Sequence, residues 1–170
     1  IRGKISDQPV RNLLNQTAVD RVPCYASVLW PNRPEEIAVS AESFLEQGYK
    51  SVKYGWGPMG PDAALDESLV ASAREALGTE IDLMVDAGRV WDVETAYSRI
   101  EQLKQYNLRW LEEPLNPYDI KGYKELSANS SIPIASGEML TLQKDLKQLI
   151  IQGKVSVVQP DLGRIGGFSA

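Results

Sequence analysis

The sequence predicts an α/β fold in which helical crossovers connect the strands of a parallel sheet. Short apolar runs alternate with amphipathic stretches, and successive runs begin roughly 25 to 30 residues apart, as in βα units. The six apolar runs cover residues 23–30, 51–55, 82–87, 109–113, 132–138 and 155–161. Such alternation is typical of a closed barrel or of an open, doubly wound sheet. A complete eight-unit barrel needs about 250 residues. These 170 residues, with their six apolar runs, would supply six of the eight units.

The stretches between these runs have the periodicity of helices. Three of them run over residues 65–77, 93–103 and 142–151. In the first two, apolar residues recur at intervals that place them on one helix face. Asp62 and Asp92 precede these two helices as N-caps, and Gly153 follows the third, where we expect the helix to stop. Residues 1–22 fit neither a strand nor a βα unit and are interpreted as a lead-in from a preceding segment.

Composition excludes several classes of function. The 18 Lys and Arg residues against 23 Asp and Glu give a net charge of −5, which argues against a nucleic-acid or anionic-membrane surface. No apolar run approaches the roughly 18 residues of a membrane span. Cys24 is the only cysteine, so no intrachain disulfide can form and the cytoplasm is the expected compartment. The chain contains no histidine, which removes every His-containing triad or zinc site.

Three successive predicted strands end in a carboxylate: Asp86, Glu112 and Glu138. The C-terminal ends of parallel strands meet at one edge of the sheet, and side-chain alternation is consistent with all three acids on one face. Carboxylates packed together in a partly dry cleft repel one another unless a cation binds between them. An all-oxygen set of ligands suits a hard ion, so the pattern predicts a Mg²⁺ site. Each acid alone could instead cap the helix that follows it.

Two further charged residues lie at strand ends in the same register. Lys53 ends the second strand and is a candidate for a tuned base or a contact to a substrate carboxylate, although an isolated lysine is usually a solvated surface charge. Asp161 ends the sixth strand and is either functional or an N-cap of the next helix. Trp56 and Arg89 also follow strand ends, where Arg89 would favour an anionic substrate.

The order of these motifs resembles the enolase superfamily, and within it the mandelate racemase-like branch. The motifs are Lys53 after an apolar strand, VDA with Asp86, WLEEP with Glu112, GE with Glu138 and QPDLGRIGG with Asp161. The resemblance covers nearly the whole chain. It implies a modified (β/α) TIM-type barrel, of which residues 23–170 are six of eight units, and residues 1–22 would be the end of an N-terminal capping region.

The resemblance also implies a chemistry. Mg²⁺ held by Asp86, Glu112 and Glu138 would bind the carboxylate of a hydroxy or sugar acid, a base would remove the α-proton, and an enediolate would form. The family is often homo-oligomeric. At the position of Asp161 the muconate lactonizing enzyme-like branch has a Lys base, whereas the mandelate racemase-like branch pairs an Asp with a His on the seventh strand. That strand and its His are not among these 170 residues.

A departure from the family pattern bears on the reaction. The family often has Lys-x-Lys on the second strand, with the second Lys as a base on the opposite face of the substrate, but this chain has Lys53 followed by Tyr54 and Gly55. We therefore expect an acid-sugar dehydratase rather than a racemase, with Lys53 acting on the substrate carboxylate. The alternatives are a racemase or epimerase of the same family, a metal-independent Schiff-base lyase using Lys53, and a non-catalytic truncated metal-binding fragment.

Overall fold

The six predicted strands form one parallel sheet in a computed structural model, which describes residues 1–15, 17, 19 and 21–168. The strands are β1 (Ala26–Leu29), β2 (Ser51–Gly55), β3 (Asp82–Asp86), β4 (Leu108–Glu112), β5 (Ile134–Ser136) and β6 (Val157–Val158). They are hydrogen-bonded in chain order, each parallel to the next. This order is that of a β/α barrel, because a doubly wound sheet reverses direction at a switch point. The prediction of the fold class is confirmed.

Helices connect consecutive strands, as predicted. The helices are α1 (Arg2–Ser6), α2 (Val10–Leu14), α3 (Ile37–Glu46), α4 (Ala63–Leu77), α5 (Val93–Leu103), α6 (Ile120–Asn129), α7 (Gln143–Gln148) and α8 (Leu162–Ile165). Short 3₁₀ turns at Pro34–Glu36 and Lys104–Tyr106 flank α3 and α5. None of the helices in the described part of the chain is long and apolar enough to cross a membrane.

The predicted helix boundaries hold at two N-termini and fail at one C-terminus. The Asp62 carboxylate accepts backbone N–H groups of α4, and Asp92 accepts one of α5, so both N-caps are confirmed. The prediction that Gly153 lies just past the third helix is wrong. After α7 the chain continues as a π-helical turn, Leu149–Gly153, and Lys154 ends it in a left-handed conformation. The stretch over 1–22 contains α1 and α2, neither of which has a buried residue.

The apolar core lies between the sheet and the helices. Buried side chains of α4 and α5, including Leu69 and Ile100, pack on the sheet face that carries Val52, Leu83 and Leu111. The other sheet face carries polar residues near the strand ends. The helices therefore supply the hydrophobic burial that stabilises the sheet, and the opposite face is left for chemistry.

Arg74 near the C-terminus of α4 connects three segments at the end of the sheet where the strands begin. Its guanidinium donates to the backbone carbonyls of Gly78 and Ile81, at 2.9 and 2.7 Å, and to those of Tyr106 and Asn107, at 2.9 and 3.0 Å. These carbonyls belong to the turns that lead into β3 and β4. One side chain thus donates to four backbone carbonyls that lie in turns, outside the regular hydrogen bonding of helices and strands.

We expect Arg74→Met to destabilise the fold by about 2 kcal/mol or more, because it leaves half-buried carbonyls without a charged donor. The free energy of unfolding from urea titration measures the effect. Arg109→Met is the control, since Arg109 is largely exposed and makes an ion pair of 3.3 Å with Asp82; a loss below about 1 kcal/mol is expected for it. Equal losses in the two variants would show that the carbonyl contacts of Arg74 contribute nothing specific.

Candidate active site

The C-terminal ends of β2, β3 and β4 bring together Lys53, Asp86 and Glu112. Cross-strand pairing places Gly55 beside Asp86, and Asp86 beside Glu112, so these positions share one sheet face. The Lys53 ammonium lies 2.6 Å from Glu112 Oε1 and 3.8 Å from Asp86 Oδ2. All three side chains are buried, at 8%, 4% and 0% exposure respectively. Three of the five predicted site residues therefore form one contiguous, charged cluster.

Burial and charge have opposing effects on these groups. Burial acts to lower the pKa of Lys53, but the hydrogen bond and charge of Glu112 and the charge of Asp86 outweigh it, and the pKa is raised. Burial raises the pKa of Asp86, and the charge of Glu112 raises it further, against the opposing effects of the Gly88 N–H, Lys53 and Trp56. The ammonium thus compensates for the removal of two carboxylates from water.

Asp86 is held in place by donors from two loops. Its Oδ2 accepts the indole N–H of Trp56 at 2.9 Å, and its Oδ1 accepts the backbone N–H of Gly88 at 2.8 Å. Gly55 is required beneath it, because a Cβ at that position would lie 2.5 Å from the Cβ of Asp86. The second strand therefore has no room for a side chain two residues beyond Lys53 while Asp86 keeps this position.

Glu112 has a donor on both carboxylate oxygens. Oε1 binds Lys53, and Oε2 accepts the Trp110 indole N–H at 3.2 Å and the Gln159 amide N–H at 2.8 Å. The sequence analysis missed Trp110 and Gln159 as site residues. A signal was present for both, since Trp110 precedes Glu112 by two residues on the same strand face, and Gln159 precedes Asp161 by two. Contributions from β2, β4 and β6 form a layer of the kind that alternate strands build in a barrel.

Glu138 reaches the same site by a route that the predicted alternation did not describe. Unbroken alternation along β5, on which the prediction of one shared face depends, would place Glu138 on one face with Ile134 and Ser136. That placement is wrong, because Ala135 is the residue paired with Glu112, and Ser136 donates to the Tyr123 hydroxyl of α6 on the helix side. Gly137 has φ +132 and breaks the alternation after β5.

Beyond that glycine, the half-buried Glu138 lines a cavity of about 250 Å³ together with Lys53 and Asp86. The full lining consists of Ser27, Val28, Leu29, Lys53, Gly55, Trp56, Asp86 and Glu138. A larger cavity, about 750 Å³, lies between α6 and the π-helical turn. Its lysines, such as Lys121 and Lys124, are exposed, so only the smaller cavity carries a buried group of charges.

An ion pair between Arg89, which the sequence indicated as a cation after a strand end, and Glu113, which was not among the predicted site residues, adjoins this cluster. Glu113 is 1% exposed and lies 3.4 Å from the Nε atom of Arg89. Burial raises the pKa of Glu113 to about 7; the charges of Glu138, Asp86 and Glu112 add to this effect, and Arg89 opposes it. The Arg89 guanidinium also lies 5.2 Å from the centre of the Trp56 ring. Two adjacent glutamates in the sequence do not indicate that Glu112 pairs with Lys53 and Glu113 with Arg89.

The charges in this part of the molecule fit a divalent cation. Among the described residues around the cluster, the carboxylates of Asp86, Glu112, Glu113 and Glu138 outnumber the cationic Lys53 and Arg89. All the atoms that these carboxylates offer as metal ligands are oxygens, which Mg²⁺ prefers.

The carboxylates are not arranged as a complete coordination shell. No three His, Cys, Asp or Glu side chains in the described part of the chain form a group that could hold a metal ion. Lys53 lies in contact with both Asp86 and Glu112 and neutralises part of their charge. The assignment of Asp86, Glu112 and Glu138 as metal ligands stays a prediction.

Asp161 is placed differently from the other predicted site residues. It is exposed, and its Oδ1 accepts the backbone N–H groups of Gly163 and Arg164 at 2.7 and 3.1 Å. It is therefore the N-cap of α8, which is the structural alternative that the sequence left open. The other oxygen, Oδ2, forms an ion pair of 3.9 Å with Arg164. The catalytic role of Asp161 stays a prediction.

Fold and site together define an α/β barrel-type protein with an acidic centre at the C-terminal ends of its strands. A family model described as enolase C-terminal domain-like matches residues 36–170. The chain belongs to this family, as the motifs predicted.

Similar proteins include enzymes of more than one reaction type. The chain is 39% identical over 171 residues to L-talarate/galactarate dehydratase of Salmonella typhimurium, covering 99% of this chain and 42% of that protein. It is 33% identical over 149 residues to 3,6-anhydro-alpha-L-galactonate cycloisomerase of Streptomyces coelicolor, covering 87% of this chain and 41% of that one. The chain thus spans less than half the length of these relatives.

A solved structure shows the same fold with ligands. The crystal structure of L-talarate dehydratase from a Polaromonas species, in complex with Mg and L-glucarate, matches with a TM-score of 0.88 and 34% identity. The match covers 99% of this chain and 47% of that one. The fold of the 170 residues is therefore that of the corresponding part of a larger barrel enzyme.

We expect Gly55→Ala to destabilise the protein by about 1–3 kcal/mol, because the added methyl group would force Asp86 or β2 to move. Thermal unfolding measures the change. Gly163→Ala is the matched control, since Gly163 has an ordinary φ and only the flexible Asp161 carboxylate lies near its added Cβ, at 3.1 Å. A Gly55→Ala protein as stable as the control would show that Asp86 has space to move and is not fixed by the strand beside it.

Proposed function

We propose that this chain supplies the metal- and carboxylate-binding part of a Mg²⁺-dependent acid-sugar dehydratase. The substrate would be a hydroxy or sugar acid with hydroxyl groups on both its α-carbon and its β-carbon. The C–H bond at the α-carbon and the C–O bond at the β-carbon break, water leaves, and the resulting enol becomes an α-keto acid. The cofactor, the substrate class and the reaction are all parts of this proposal.

The observation that carries the proposal is the buried cluster of Asp86, Lys53 and Glu112, with Glu138 on the same cavity. Buried carboxylates that outnumber the nearby cations repel one another and do not stabilise the fold. A divalent ion bound between them would compensate for the excess negative charge. We assign Asp86, Glu112 and Glu138 as the residues that hold Mg²⁺. The chemistry that the ion supplies when bound is positive charge beside the carboxylate oxygen that becomes more negative as the α-proton leaves.

Lys53 has the position of an electrostatic group. Its ammonium is in contact with two carboxylates and lies in the wall of the cavity, where it can also donate to a substrate carboxylate. Arg89 adds a second cation beside the Trp56 ring, which lines the same cavity. A carboxylate substrate would thus meet cations from β2 and from the segment that follows β3. These contacts favour the substrate-orienting role of Lys53 over a role as the proton-abstracting base.

Asp161 is assigned, on the family resemblance, as one half of an acid/base pair with a His that is not among these 170 residues. Such a pair could take the α-proton and later donate a proton to the leaving hydroxyl group on the same side. Removal of the leaving group then needs no base on the opposite face. The absence of space at Gly55 supports this one-sided chemistry, because a second base on β2 would have to occupy that position.

A racemase or cycloisomerase is the second candidate, and the observation that favours it is the 33% identity to the Streptomyces coelicolor cycloisomerase. A non-catalytic metal-binding fragment and a Schiff-base lyase using Lys53 stay as alternatives. Cytoplasmic location and homo-oligomeric assembly are predictions from the sequence. Cys24 is free and exposed, which is compatible with a reducing compartment.

We expect Asp86→Asn, Glu112→Gln and Glu138→Gln each to lower Mg²⁺-dependent turnover of an acid sugar by about 100-fold or more, because each removes a charge that holds the ion. Turnover is measured in the full-length protein, with a chelator and then with Mg²⁺ restored. Glu101→Gln is the control, since Glu101 is exposed and pairs with Lys104 at the surface. Normal turnover in any of the three site variants would remove that residue from the ligand set, and turnover that survives the chelator would favour the Schiff-base alternative.

Proton exchange distinguishes the dehydratase from the racemase. In D₂O with Mg²⁺, we expect an α-keto acid carrying deuterium at its β-carbon, and no substrate of inverted configuration, because only one face of the substrate meets a base. Proton NMR of the reaction mixture measures both species. Accumulation of α-deuterated substrate with inverted configuration would identify the protein as a racemase or epimerase instead.

A further inference from the structure

We propose that Gln159 is a positioning residue for Glu112, which it holds in the orientation that binds the metal ion. The proposal rests on the proposed function, because it concerns the same metal centre. Gln159 belongs to the QPD motif, whose Asp161 drew attention in the sequence, and nothing in the sequence analysis gave Gln159 a role. The structure gives it one through a single directed contact.

The contact has a defined direction. A carboxylate accepts hydrogen bonds and cannot donate them, so the atom of Gln159 that lies 2.8 Å from Glu112 Oε2 is its amide nitrogen. The same oxygen accepts the Trp110 indole N–H at 3.2 Å, and Lys53 binds the other oxygen at 2.6 Å. Glu112 is therefore fixed by donors from β2, from its own strand and from the end of β6. Gln159 is the contribution of β6.

The backbone of Gln159 is itself fixed. Its N–H donates to the carbonyl of Ser136 at 3.1 Å, which continues the pairing of β6 with β5. The backbone atoms of Gln159 also pack beside Gly137, whose absent Cβ would lie 3.4 Å from the Gln159 nitrogen. The amide thus extends from a rigid position, and a fixed donor orients a carboxylate more effectively than a mobile one.

The other end of the amide argues against a purely structural role. The Oε1 atom of Gln159 is buried and has no hydrogen-bond partner in the described part of the chain. A buried acceptor without a partner lowers stability. Within the described part of the chain, the contact with Glu112 is the hydrogen bond that this side chain makes, so the position of Glu112 is what Gln159 can influence.

The test is the affinity of the full-length protein for Mg²⁺, measured by isothermal titration calorimetry together with the thermal midpoint without metal. We expect Gln159→Met to weaken Mg²⁺ binding by about tenfold or more, as is usual when a group that orients a metal ligand is lost. The midpoint without metal should change little, because the substitution removes one donor from the buried Glu112 Oε2, which keeps the Trp110 N–H, and at the same time removes the unpaired acceptor. Gln159→Asn, which keeps the amide but is too short to reach Glu112, should weaken binding in the same way.

Gln102→Met is the matched control. Gln102 is a half-buried glutamine whose amide donates to a carboxylate, Glu67 Oε2, at 2.7 Å, between α5 and α4 and outside the active site. We expect its Mg²⁺ affinity to equal that of the wild type. Wild-type affinity in both Gln159 variants would overturn the proposal, as would a lower thermal midpoint with unchanged affinity.

Failure of the proposed function gives a different result. If the wild-type protein binds no Mg²⁺, both the proposed metal centre and the proposed role of Gln159 are wrong. If the wild type binds Mg²⁺ and Glu112→Gln abolishes binding while the Gln159 variants bind normally, the metal centre stands and only the role of Gln159 is wrong.

Discussion

The ion pair between Lys53 and Glu112 is the interaction on which the rest of the site depends. Both groups are buried, and their atoms lie 2.6 Å apart. Removing one partner of a buried pair usually costs about 3–5 kcal/mol, because the other charge is left without compensation. Lys53 also lies 3.8 Å from Asp86, so one ammonium compensates for the burial of two carboxylates at the C-terminal ends of the strands. This arrangement is costly for a fold and is expected at a functional site.

The barrel architecture provides the rigidity that this charge cluster needs. Strands β2, β3 and β4 hold Lys53, Asp86 and Glu112 in register, and the helices bury the opposite face of the sheet. The residues that follow the strand ends have less regular backbone conformations. Trp56, Arg89 and Glu113 all have a positive φ, between 41° and 68°, which non-glycine residues seldom adopt. Backbone strain of this kind collects at functional sites, where the surrounding structure holds it in place.

Overall similarity does not decide which reaction of the family this protein belongs to, because relatives of similar identity include a dehydratase and a cycloisomerase. The contact between Gly55 and Asp86 is the local feature that bears on the proposed reaction. It leaves no room for a side chain at position 55 while Asp86 keeps its place. The proposed use of a base on one face of the substrate is consistent with that contact.

The sequence alone determined the alternation of strands and helices, the family, and the shared face of Lys53, Asp86 and Glu112. It could do so because side-chain alternation along a strand is a local rule, and because the C-terminal ends of parallel strands all lie at one edge of the sheet. The rule of alternation failed for Glu138, since Gly137, with φ +132, breaks it after β5. Local rules cannot anticipate where a backbone leaves its strand.

The tertiary structure decided which neighbours surround these residues. Whether Glu113 is buried and whether Gln159 reaches Glu112 depend on contacts between segments far apart in the chain. The capping of α8 by Asp161 is by contrast a local contact, to backbone N–H groups two and three residues further on. The Gln159 contact joins residues 47 positions apart. Burial and hydrogen bonding are properties of packed segments, and no pattern along a single strand encodes them. The sequence therefore indicated which residue types lie at the site. The fold determined how these side chains are oriented and which charges lie next to one another.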